Sequence, residues 1–119
     1  LLAYAHNQLA RGDLKVYNMV AVLRRGQYAT FLAQFSVFCG VPVQKMLAAL
    51  KEETGKGLAI SCRAKDVPKS EFVSLYLLTE RFRSHTKRVI NHRELSRIMA
   101  MFDGINPEHA RKVLEQDRH

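Results

Sequence analysis

The sequence predicts an all-α fold of about eight short helices, arranged as stacked helical hairpins or as a compact multi-helix bundle. Three observations carry that prediction. Apolar residues recur at the i, i+3, i+4, i+7 spacing of one helix face through most of the chain. No stretch holds the strict alternation of a strand. Gly and Pro fall between the periodic segments rather than inside them. At 119 residues and 47% hydrophobic, the chain is too apolar for a disordered polymer. It suits a single domain, 1–119, that buries about two-thirds of its unfolded surface.

The elements follow in order. A first helix over 1–11 stops at Gly12, and a second over 13–24, with Val16, Met19, Val20 and Leu23 on one face, stops at Gly26. The third, 27–39, carries the clearest stripe (Tyr28, Phe31, Leu32, Phe35, Phe38, Cys39) and ends at Gly40. A glycine at that position accepts the left-handed conformation that closes a helix C-terminus. Pro42 opens the fourth helix, 42–53, with Val43, Met46, Leu47 and Leu50 inward. A fifth covers 57–65. Pro68 opens the sixth, 68–84, whose apolar residues from Phe72 to Phe82 cover most of its circumference. Such a helix is expected at the centre, packed on several sides. The seventh, 91–103, begins at Asn91 with Glu94 three residues on, a capping-box spacing, and is expected to end at Gly104. Asn106 before Pro107 caps the eighth, 107–117.

A weak internal repeat runs through this order. Leu32-Ala33, Gly40-Val41-Pro42 and Met46-Leu47 are echoed 26 residues later by Leu58-Ala59, Asp66-Val67-Pro68 and Phe72-Val73. Helix, tight corner with a buried Val, and second helix form a unit that buries its apolar face by stacking on its neighbours.

Several of these residues carry a family resemblance. Gly26-Gln27-Tyr28 through Phe31-Leu32-Ala33, Cys39-Gly40-Val41-Pro42, Gly57-Leu58-Ala59 to Cys62-Arg63-Ala64, and Val67-Pro68 are similar to an alphaproteobacterial family known as domain of unknown function 2336. Met101-Phe102-Asp103 and Ala110-Arg111-Lys112-Val113-Leu114 resemble the end of such proteins. The 53–57 turn departs from the pattern, which would place paired glycines there. The family resembles HEAT-like and leucine-rich-repeat-variant helical repeats. The resemblance therefore implies a HEAT- or armadillo-like right-handed superhelix in a bacterial, cytoplasmic setting, with no catalytic residue.

Residues that carry chemistry are sparse. Cys39 and Cys62 are expected as buried free thiols, the reduced state of a cytoplasmic compartment. Neither they nor His6, His85, His92, His109 and His119 form a zinc spacing. Gly55-Lys56-Gly57 lacks the four-residue spacing and the Ser or Thr of a phosphate loop, and reads as an interhelix turn. Glu52, Glu53, Asp66, Glu71 and Glu80 are expected on polar faces or turns, where no acid–base pair forms. The expected protein is therefore not an enzyme and uses no cofactor, metal or small-molecule substrate. No membrane span and no export signal is expected. The start at Leu1-Leu2-Ala3 without Met suggests a piece of a longer chain.

Charge singles out one segment. The net charge is +8, yet from Arg81 to Arg97 six basic residues (Arg81, Arg83, Lys87, Arg88, Arg93, Arg97) face Glu94 alone, a local +5. Concentrated positive charge attracts acidic surfaces and phosphates. These six residues form the candidate binding patch. The expected role is a protein-interaction or scaffold element, with a nucleic-acid-binding module contacting phosphates as the alternative.

Overall fold

Four helices of the protein end in the same turn. In the computed structural model, which describes residues 1–84 and 89–118, these are α1 (Leu2–Ala10), α2 (Val16–Arg24), α3 (Tyr28–Cys39) and α5 (Lys56–Ala64). Asp13, Gln27, Val41 and Val67 each donate their amide five residues back, to the carbonyls of Gln8, Val22, Ser36 and Cys62. The preceding residues, Gly12, Gly26, Gly40 and Asp66, donate three back. This pairing satisfies two carbonyls that the helix end would leave orphaned. It needs a positive φ, which the three glycines take at 69–74° and Asp66 at 56°. Aspartate is among the few side chains tolerated there, so Asp66-Val67-Pro68 reproduces the corner made by Gly40-Val41-Pro42.

The remaining helices are α4 (Val43–Lys51), α6 (Lys69–Leu78), α7 (Glu80–Arg83), α8 (His92–Gly104) and α9 (Pro107–Asp117). No strand occurs among the described residues. Asn91 and Asn106 cap as expected: Asn91 Oδ1 accepts from the Glu94 amide at 2.8 Å, and Asn106 Oδ1 from those of Glu108 and His109 at 2.9 and 3.1 Å. Two expectations are corrected. Gly104 is the last residue of α8 and takes no positive φ, so the third proline corner differs from the other two. The segment 68–84 is not one helix but breaks at Thr79, whose hydroxyl donates back to the Leu75 carbonyl at 2.6 Å.

Packing is centred on α3, α5 and α6. α3 touches α1, α2 and α4; α6 touches α2, α5, α7 and α8; α5 lies against α4 and α8 and, most extensively, α9. Phe31, Phe35, Phe72, Leu75 and Tyr76 are fully buried. Phe31 stacks on Phe35 at 5.3 Å, and Phe72 on Phe102 at 4.7 Å, which joins α6 to α8. At the α4–α5 junction a Cβ on Gly57 would lie 2.7 Å from Ala49, so only glycine lets the two helices approach this closely. The radius of gyration, 13.5 Å, is what a compact chain of this length has, about 13–14 Å.

Residues 26–44 carry no charge, and on length alone could span a bilayer. They are folded instead as parts of α3 and α4, bent by 110° across the Gly40–Pro42 corner, with most of α3 buried in the core. No single helix among the described residues is long and apolar enough to cross a membrane.

Candidate functional site

The break at Thr79 determines where the basic segment goes. Ending α6 there leaves carbonyls without helical partners at the negative end of the helix dipole. Arg83 fills the gap. Its guanidinium donates to the Tyr76 carbonyl and, at 3.0 Å, to both Thr79 Oγ1 and Glu80 Oε2. It also lies 3.9 Å from the centre of the Tyr76 ring. The Arg83 side chain is only 3% exposed and that of Glu80 12%. Two expectations are thereby corrected: Arg83 is not a surface cation, and Glu80 is not on a polar face. The ion pair with its hydrogen bonds lets both charges be buried, because each offsets the other's desolvation. Within this cluster Arg83 Nε is buried without a hydrogen-bond partner among the described residues.

The other basic residues separate. Arg81 is exposed and lies over the Tyr28 ring at 5.6 Å, toward α3. Lys87 and Arg88 lie outside the described residues. Arg93 and Arg97 are exposed on the first two turns of α8, one turn apart. Arg97 Nη1 donates to the Thr54 carbonyl at 3.2 Å, tying α8 to the 53–57 turn. Arg93 makes no hydrogen bond or ion pair with a described residue.

Between these elements lies a cleft of about 580 Å³, lined by three arginines (Arg83, Arg93, Arg97) and three carboxylates (Glu53, Glu80, Glu94). Beside it the Tyr76 hydroxyl donates to Glu94 Oε2 at 2.7 Å. Burial pushes the Tyr76 phenol above its usual pKa, and the bond to the Glu94 carboxylate adds to that rise. The 53–57 turn contributes Glu53 to the lining and is built rather than slack. Glu52 Oε2 accepts from the Gly57 amide at 2.9 Å and Thr54 Oγ1 from that of Lys56 at 3.2 Å. Gly55 sits at φ 77° with its Cα against Tyr76; a Cβ there would lie 2.6 Å from the ring.

The segment read as six basic residues against Glu94 alone thus contributes to a mixed-charge cleft in which Arg93 and Arg97 are exposed. Charge counting along the chain missed Glu53 and Glu80. Glu53 comes from a turn far away in sequence, and Glu80 has the spacing of an ordinary polar-face residue. The Glu80-x-x-Arg83 spacing was the one available signal, since residues three apart share a helix face.

No group of three or more His, Cys, Asp or Glu among the described residues is placed to hold a metal ion. Cys39 and Cys62 are buried free thiols. Burial pushes Cys39 up to about 12, tempered by Lys65 and Arg118. It pushes Cys62 well above the ordinary thiol value, and the neighbouring Cys39 adds to that rise.

A family model described as "uncharacterised protein conserved in bacteria (DUF2336)" matches residues 2–115. No curated protein and no solved structure matches the chain.

Proposed function

The chain belongs to the uncharacterised bacterial family DUF2336, and on that premise we propose that it is a non-catalytic helical-repeat module that binds another protein through the α8 rim of the cleft. The observation that carries the reading is the pair Arg93 and Arg97, exposed one turn apart, with Arg93 unpaired among the described residues. Guanidinium groups are preferred at interfaces because their planar fork meets carboxylates with two parallel hydrogen bonds. The carboxylates behind them suit binding better than proton transfer. Glu80 is held by Arg83 and Glu94 accepts from Tyr76, whereas a general acid or base must be reachable by substrate. The four alike corners support a HEAT-like repeat character, and two neighbouring unbridged thiols fit a cytoplasmic location.

The test is crosslinking in the native bacterial host, comparing the unaltered protein with Arg93→Glu/Arg97→Glu and with Lys112→Glu, an exposed control on α9. The double reversal should remove specific protein partners that the control retains. A partner set unchanged by the double reversal would refute the reading. Loss of bound nucleic acid instead, with affinity falling steeply as salt rises, would favour the phosphate-binding alternative.

A further inference from the structure

We infer that the cleft receives isolated carboxylate side chains of a partner segment, and that Glu53 turns polyphosphates away from it. This rests on the interaction role proposed above and names the chemistry of the partner. Several charges of the cleft are already satisfied. Arg83 is occupied by Glu80, Thr79 and the Tyr76 carbonyl. Glu94 accepts from Tyr76. Of the three arginines that line the cleft, Arg93 and Arg97 are exposed, one turn apart on α8. Cβ atoms four residues apart on a helix are about 6 Å from one another, so two guanidinium groups can close on one carboxylate from both sides.

The carboxylate beside these arginines sets the selectivity. Glu53 lines the same cleft and is exposed. The Arg97 bond to the Thr54 carbonyl holds that turn beside α8. A duplex carries one negative charge per about 1.7 Å of its axis. Phosphates laid on Arg93 and Arg97 would bring their neighbours on the strand into the field of Glu53, which lines the same cleft. A single Glu or Asp, flanked by neutral residues, meets the arginines alone.

The experiment is an NMR titration of the protein with two probes. One is a short peptide in which glutamates are separated by pairs of serines; the other is duplex DNA. The peptide should shift the Arg93 and Arg97 side-chain Nε–H signals and the 53–57 amides. Arg93→Gln/Arg97→Gln should weaken peptide binding by about tenfold or more, since each charge-assisted hydrogen bond contributes strongly. Glu53→Gln should raise affinity for the duplex more than for the peptide. The inference is overturned if the peptide shifts other surfaces or none, or if Glu53→Gln raises both affinities equally. Should the peptide fail while host crosslinks still depend on Arg93 and Arg97, this inference falls and the interaction role stands. If the peptide binds but the crosslinks are indifferent to those arginines, the interaction role falls instead.

Discussion

Replacing Gly55 by Ala tests how tightly the cleft wall is built. Two costs add. A non-glycine residue in the left-handed region costs about 1–2 kcal/mol, and Gly55 has φ 77°. The new methyl would also lie 2.6 Å from Tyr76 Cε1, inside any permitted contact. Tyr76 has little room to retreat, because its hydroxyl is bound to Glu94 at 2.7 Å and the Arg83 guanidinium lies 3.9 Å from its ring centre. Overpacking of this sort costs about 1–3 kcal/mol, so the total is about 2–5 kcal/mol. Gly12→Ala separates the two contributions. Gly12 has nearly the same φ, 73°, but a Cβ there would meet nothing within 4 Å. It should therefore lose only about 1–2 kcal/mol. Urea unfolding followed by circular dichroism reads both. With a slope of about 2 kcal/mol per molar, a loss of about 3 kcal/mol lowers the Gly55→Ala midpoint by about 1.5 M, and the Gly12→Ala midpoint should move by only about 0.5–1 M. Equal shifts would refute the reasoning, since they would mean that the ring yields freely and the network around Tyr76 does not hold it.

Three further outcomes are expected. Arg83→Met should destabilise by about 3 kcal/mol or more in urea unfolding, because it takes the guanidinium away from the buried Glu80 carboxylate and removes the Arg83 hydrogen bond to the Tyr76 carbonyl; a loss below about 1 kcal/mol would contradict that account. Cys39 and Cys62 should resist a thiol reagent at neutral pH in the native protein and react fully in denaturant. Because their folded pKa values lie above the ordinary 9.0, with Cys39 at about 12, the unfolded chain loses these protons first. Stability should then fall as pH rises from about 9 toward about 12, and a urea midpoint that holds or climbs between pH 8 and pH 10 would oppose it. Asn106→Ala should cost about 1 kcal/mol by orphaning the Glu108 and His109 amides, visible as faster amide exchange in α9 than in α3.

The fold was legible wherever a local rule operated alone. Gly12, Gly26 and Gly40 end helices as their placement predicts, and Asn91 and Asn106 cap as theirs does. Each of these needs only a few consecutive residues. The break at Thr79 was not legible, because no Gly or Pro marks it. It depends on Arg83 folding back onto the Tyr76 and Thr79 oxygens. Gly104 misled for the converse reason, since a glycine that ends a helix need not take a positive φ. The site was half-legible: Arg93 and Arg97 stand exposed as their polar-face positions imply. Glu53 joins them only through tertiary packing that brings the 53–57 turn to α8, and sequence spacing holds no trace of a contact between residues so far apart.

The pairing of α5 with α9 sets an order of events during synthesis. About fifty residues separate the end of α5 at Ala64 from the middle of α9. A ribosome adds about 5–20 residues per second, so several seconds pass between the appearance of α5 and that of its most extensive partner. The four tight corners close from residues already made, which lets the first helices dock as they emerge. The face of α5 that α9 will cover stays open through that interval. Translational pausing between Ala64 and Pro107 would lengthen its exposure to chaperones or to other nascent chains.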